Sequence, residues 1–256
     1  MPPNPASGPS SLPSTSYLKG YWRNDSDITW TDLSGSGNDG TVTNSNGSIL
    51  LKQGINGSAS TSTGRDGQGF PLLYKDVGAI GCNGTTTYIE AAISSGGALD
   101  ITDNITISAW AFVNKKSDWD RIFARRATGS SGIPFMLGLN DDADQTWDFY
   151  IDGTSSATQL AGTTPVALHT WYNVVGVLAG TSMKLYLNGV LDNTTTHTGG
   201  LNAAGVDPQL QIGAQLRPSY SAYSWDGQIA NALIYNRALS HAEIKQNFNA
   251  QRSRFE

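Results

Sequence analysis

Apolar and polar positions alternate most plainly over residues 171–193, WYNVVGVLAGTSMKLYLNGVLDN. Two apolar runs, 171–178 and 183–187, are separated by Ala179-Gly180-Thr181 and followed by Asn188-Gly189. Asn-Gly suits a two-residue loop in which both central residues take positive φ, a strong hairpin signal. Met183, Leu185 and Leu187 fall on one face of the second run, and Lys184, Tyr186 and Asn188 on the other. That is the period of a strand that packs one side and wets the other. The stretch predicts three antiparallel strands in a meander, with an apolar side that the rest of the chain must cover.

The same pattern recurs elsewhere. Residues 78–84 and 85–90 read as strands on either side of Asn83-Gly84. In 105–112, Ile105, Ile107, Ala109 and Ala111 alternate with Thr106, Ser108, Trp110 and Phe112, so this strand carries bulk on both faces and belongs at a sheet centre. Residues 121–124, 134–139, 146–151 and 209–213 follow as short strands, and 228–235 closes the sheet. Trp22, Trp30, Trp110 and Trp171 lie within these patterns and read as core. About a dozen short strands separated by turn residues predict an all-β antiparallel sandwich. One short C-terminal helix is expected over residues 241–251. Ser240 and Glu243 form a capping box, Leu239 and Ile244 a hydrophobic staple, and Ile244 with Phe248 pack on a sandwich edge.

Composition narrows the class. The 256 residues suit one sandwich domain, residues 17–256, preceded by a Pro/Ser-rich extended arm, residues 1–16, that holds five of the ten prolines. A formal net charge of -5 without a basic run argues against nucleic acid. No apolar stretch is long enough to insert in a membrane, and the N-terminus has neither the basic nor the apolar region of a secretory signal. The single Cys82 excludes an internal disulfide.

The segments DGTVTN, ITISAWAFV, the meander and the closing DGQIANALIYNRALSHAEI together resemble the laminin-G-like domains of the concanavalin A-like lectin/glucanase superfamily. The likeness runs over essentially the whole chain after the arm. It implies a two-sheet jelly roll with a curved sheet whose concave face is the usual glycan site. Relatives often carry acidic calcium ligands just after the Gly-x-Ile of the closing strand. Here those positions are Ala230 and Asn231, leaving Asp226 as one oxygen donor.

Candidate chemistry is sparse. Glycoside hydrolysis needs two carboxyl groups about 5–5.5 Å or about 6.5–9.5 Å apart, and the Glu-rich hydrolase motif is absent. Glu90, Glu243 and Glu256 are isolated, and Asp148 and Asp152, on one strand face, stand roughly 13 Å apart at about 3.3 Å per residue. Asp118 and Asp120 fall in range if extended, but they sit in a loop whose charges should be solvated, so no catalytic residue is assigned. The turn around Asn140, Asp142 and Asp144 offers oxygens suited to Ca²⁺, apart from the single donor at Asp226 that the resemblance implies. Sugar binding is the remaining chemistry, because aromatic faces stack on sugar C–H surfaces while nearby carboxylates bond hydroxyls. Two loops present such groups: Asp118, Trp119 and Asp120, and the stretch with Tyr220, Tyr223 and Trp225.

These features make the favoured expectation a non-catalytic virion protein, a phage-like capsid decoration or fibre. It would be made in the host cytoplasm and displayed on the virion surface, docked through the arm to a capsid or other virion protein. Cell-surface polysaccharide and further copies of the chain are its other candidate partners. The alternatives are a bacterial surface or secreted carbohydrate-binding module, extracellular, and, less favoured, a glycoside hydrolase.

Overall fold

The computed structural model describes residues 15–22, 29–44, 51–52, 79–92, 96–127, 134–142, 144–202, 208–217 and 220–255. The arm, apart from the short 3-10 turn Thr15–Tyr17, lies outside the described residues. In chain order the first strands are β1 (Leu18–Trp22), β2 (Thr29–Trp30), β3 (Gly40–Asn44), β4 (Leu51–Lys52), β5 (Ala79–Asn83) and β6 (Thr87–Ala92). Next come β7 (Ile105–Val113), β8 (Arg121–Ala127), β9 (Phe135–Leu139), β10 (Trp147–Asp152), β11 (Ala157–Ala161) and β12 (Trp171–Ala179). The remainder are β13 (Ser182–Leu187), β14 (Val190–Thr196), β15 (Pro208–Ile212), β16 (Ala214–Arg217), β17 (Tyr220–Ser224), β18 (Asp226–Tyr235) and the helix α1 (His241–Gln251).

Sixteen of the strands form two antiparallel sheets of eight, and β16 pairs with β17 as a separate two-stranded sheet. Sheet I runs β14-β13-β12-β7-β18-β5-β4, with β1 also paired to β18; sheet II runs β11-β10-β9-β8-β15-β6-β3-β2. The fold is therefore the all-β sandwich of the sequence reading, with more strands than a dozen because short edge pieces such as β2 and β4 carry too few residues to show a period. The meander is present as β12-β13-β14, and its second turn has the expected left-handed pair, Asn188 at φ 49° and Gly189 at φ 75°.

Several placements differ from the pattern's prediction. The strand read as closing the sheet, β18, lies at its centre between β7 and β5. The strands on either side of Asn83-Gly84 do not pair. Asn83 Oδ1 accepts the N–H groups of Thr85, Thr86 and Thr87, and this turn carries the chain from sheet I to sheet II. Tyr186 is not a solvent residue. It is buried beneath α1 with Val175, Val177, Leu233, Tyr235 and Ile244.

The core follows the two-residue period. Ile105, Ile107, Ala109, Ala111 and Val113 of β7 face inward against Phe123, Leu137, Phe149 and Leu210 of sheet II. At Gly176 the sheets come so close that a Cβ would lie 2.6 Å from the Phe149 ring. The helix has its capping box, Ser240 with Glu243. It lies across the outer face of sheet I rather than at an edge. There Trp110 stacks on Phe248 at 5.6 Å and donates its indole N–H to Gln251 at 2.7 Å. One face of sheet I is thus largely roofed; among the described residues no helix lies on the outer face of sheet II, where Met136, Ala124 and Gln211 are nonetheless buried.

Candidate functional site

The connections at one end of the sandwich are tied together by polar side chains. Residues 114–120 join β7 to β8, residues 140–146 join β9 to β10, and residues 162–170 join β11 to β12. Lys116 Nζ donates to the carbonyls of Asp144 and Val166, each at 3.2 Å, which links all three. Gln145 Nε2 donates to Asp118 Oδ1 at 3.0 Å.

Trp119 stands at the tip of the first connection with φ 64°, a conformation few bulky residues adopt. That turn separates its neighbours. Asp118 is exposed and meets Gln145, while Asp120 is withdrawn and accepts the Ser117 N–H at 2.8 Å. The half-buried Trp119 ring lies 4.9 Å from the Arg121 guanidinium, within reach of cation–π attraction. Asp120 was expected to be solvated, and its burial is the correction. Its carbonyl accepts the Leu139 N–H in the β8–β9 ladder, which pulls the residue into the sheet. Burial pushes the Asp120 carboxyl up to about 7; the Ser117 N–H opposes this, Asp226 adds to it, and Arg121 and Lys115 oppose it.

Beneath Trp119 lies a charged pair that the sequence reading missed. Arg121 Nη1 donates to Leu139 O at 2.7 Å and to Asp148 Oδ2 at 3.2 Å. Among the described residues, neither Arg121 Nε nor Asp148 Oδ1 has a hydrogen-bond partner. Burial shifts both pKa values toward the neutral forms, raising that of Asp148 and lowering that of Arg121, while the pair's own attraction opposes both shifts. The signal that could have found the pair is period two: Arg121 opposes Gly138 in β9, which opposes Asp148 in β10.

These residues belong to the outward side of sheet II. Cross-strand partners place Gln159, Tyr150, Met136, Ala124, Gln211, Glu90 and Thr41 in one row across seven strands. The row is largely polar, and Gln211 donates to Glu90 at 3.1 Å.

The second predicted cluster is dispersed. The stretch read as a loop is the hairpin β16–β17 leading into β18. Trp225 is fully buried and stacks on Trp147 at 5.9 Å, so it belongs to the core and presents no face to a ligand. Tyr223 is half-buried and close enough to Arg121 to influence its charge. The side chain of Tyr220 lies outside the described residues.

The Asn140 turn uses its own oxygens. Asp142 accepts from Asn140, from the Thr146 N–H at 3.2 Å and from the Thr146 hydroxyl at 3.0 Å. Slight burial raises the Asp142 pKa, but these bonds outweigh it and leave the carboxyl below its usual range. Asp144 is exposed. Asp226 opens β18, where Asn114 Nδ2 donates to it at 3.4 Å. Among the described residues no three His, Cys, Asp or Glu side chains converge to hold a metal ion.

Comparison with known proteins decides the family. A laminin-G-type family profile, described as the concanavalin A-like lectin/glucanases superfamily, matches residues 83–245. The chain belongs to this superfamily. No curated protein sequence matches it significantly. Among solved structures, it is similar to a botulinum neurotoxin type C structure at 13% identity and TM-score 0.63, covering 93% of this chain and 52% of that one. That structure's description states that cell entry of the toxin depends on interaction with two ganglioside molecules. It is also similar to domain 4 of the extracellular arabinanase AbnA from Geobacillus stearothermophilus, solved with arabinotriose. There the identity is 17% and the TM-score 0.61, over 89% of this chain and 96% of that domain. The binding domain of Paraclostridial Mosquitocidal Protein 1 matches at 15% identity and TM-score 0.62, over 92% and 52%. This superfamily member thus spans about half the length of the toxin chains and nearly all of the arabinanase domain. At these identities the likeness establishes the sandwich, and the chemistry must come from the site.

Proposed function

We propose that this sandwich is a non-catalytic carbohydrate-binding module that takes its ligand at the loop cluster around Trp119. The observation that carries the reading is the placement of Trp119. Its half-exposed indole is held by a left-handed backbone above Arg121, beside an exposed carboxylate at Asp118. An aromatic face gives sugar C–H groups a surface, and the flanking polar groups fix orientation. The neighbours named with gangliosides and with arabinotriose support the same class of ligand. Asp120 and Asp148 are each engaged, one with Ser117 and one with Arg121, which favours binding over hydrolysis. Glycan-array binding by the whole chain, with no release of reducing ends from any bound polysaccharide, is the expected outcome. Turnover would overturn the non-catalytic reading, and an array with no bound glycan would overturn the module.

A finer reading places the module on a virus particle, docked through residues 1–16. It is supported by a Pro/Ser-rich segment, residues 1–16, ahead of a lectin-like fold with a single Cys. Copurification with particles that is lost on removing residues 1–16 is expected; chains found on a bacterial surface instead would support the cell-surface alternative.

A further inference from the structure

The roof over sheet I stops short of one end. α1 and the turn that follows it cover Trp110, with Phe255 stacked on that indole at 4.1 Å. Among the described residues no helix lies over the next row toward the loop end, although Phe255 packs on its Trp171. Cross-strand partners set Trp171, Phe112, Gln228 and Gly81 side by side on β12, β7, β18 and β5. All four are half-buried, and Trp171 packs against the buried cluster that holds Trp110 and Phe248. Phe112 and Trp171 have centroids 5.5 Å apart with planes inclined at 54°. The Phe255 ring packs against Trp171 with centroids 4.8 Å apart. His169 is exposed, takes φ 57°, and brings its imidazole 6.3 Å from the Phe112 ring.

This row has the makings of a sugar subsite. Two inclined aromatic rings pack on each other, with Phe255 against Trp171, so little side-chain entropy remains to be lost on binding. An amide at Gln228 and an imidazole at His169 supply directional donors and acceptors at the margins. Gly81 leaves the floor beside them without a side chain. The band is one residue wide, with α1 on one side and the loop end on the other. That suits a narrow polyhydroxylated chain better than a protein surface, which needs a broad apolar centre.

We infer that Trp171, Phe112, Gln228 and His169 form a second carbohydrate-binding site, on sheet I, for neutral pyranose chains. It is separate from the Trp119 cluster. The two flank one connection, since Phe112 is the penultimate residue of β7 on sheet I and Trp119 precedes β8 on sheet II. A multivalent ligand engaging both would gain avidity without a new contact.

Indole N–H resonances distinguish the two sites. The whole chain, isotopically labelled, is titrated with maltotetraose, cellotetraose and xylotetraose. The expected result is a saturable shift of the Trp171 indole signal by at least one of them, retained in Trp119→Ala. Gln228→Ala and Phe112→Ser should weaken that titration by tenfold or more. If Phe112→Ser fails to fold by circular dichroism, Gln228→Ala and His169→Gly carry the comparison. A Trp171 signal that stays still with all three sugars, or that moves equally in every variant, would overturn the second site. A shift of the Trp119 signal alone would overturn it while leaving the first site standing.

Discussion

Arg121 Nη1 lies 3.2 Å from Asp148 Oδ2, and the two side chains are only 1% and 0% exposed although both stand on the outward side of sheet II. A buried pair of this kind loses two hydration shells and recovers them only through its partners. Among the described residues one nitrogen and one oxygen of the pair lack partners, so its contribution to stability depends on both members being present. Asp148→Asn or Arg121→Met alone should destabilise the fold by about 3–5 kcal/mol, because each leaves an uncompensated buried charge. The double variant Arg121→Met/Asp148→Leu should recover most of that loss. Urea unfolding of the three variants measures both effects; additive losses in the double variant would show that the two residues do not act as a pair.

The buried carboxyl of Asp120 gives stability a pH dependence of unusual sign. Its pKa rises from 3.8 to about 7 on folding, chiefly through burial. The folded chain therefore binds more protons than the unfolded chain between those values, and stability falls as pH rises through that window. The slope approaches about 1.4 kcal/mol per pH unit at most. The raised pKa of Asp148 acts in the same direction. Glu243 acts in the opposite one: Arg237 foremost, with help from Ser240, lowers its pKa from 4.5 to about 2, so its contribution is present above 4.5 and lost as pH falls toward 2. Asp120→Asn should flatten the fall in urea midpoint between pH 4.5 and 7; an unchanged slope would place the titration elsewhere.

Gly138 controls how closely β9 approaches the Trp119 loop. A Cβ there would lie 2.0 Å from the Asp120 carbonyl oxygen and 3.0 Å from the Arg121 Cα, both backbone atoms that cannot swing aside. Gly138→Ala should therefore cost about 1–3 kcal/mol as overpacking and shift the β8–β9 ladder at the irregularity between Arg121 and Phe123. Sugar binding at Trp119 should fall with it, and binding that survives at full strength would show that the loop is positioned independently of the sheet.

The architecture was legible in the sequence wherever the period of two ran uninterrupted. The β12–β14 meander, β7 and the capped helix follow directly, because each signal is local: an Asn-Gly turn, alternating bulk, Ser240 with Glu243. What could not be read was which elements meet across the sandwich. Trp171 looked like a core residue because it sits in a strand, yet its row lies where α1 ends. Trp225 looked like a loop aromatic because of the Tyr and Ser residues before it, yet Trp147 of the other sheet receives it. Asp120 looked solvated beside Lys115, Lys116 and Asp118, and only its place in the ladder with Leu139 buries it. These outcomes depend on tertiary neighbours far along the chain, which no window of a few residues contains.

The measurement that bears most directly on the proposed function is calorimetric titration of the wild-type chain and of Trp119→Ala with a soluble oligosaccharide picked from the glycan array. The account predicts at least tenfold weaker binding in the variant, about 1.4 kcal/mol or more, with an unchanged thermal midpoint. Equal affinity in the two proteins would contradict it.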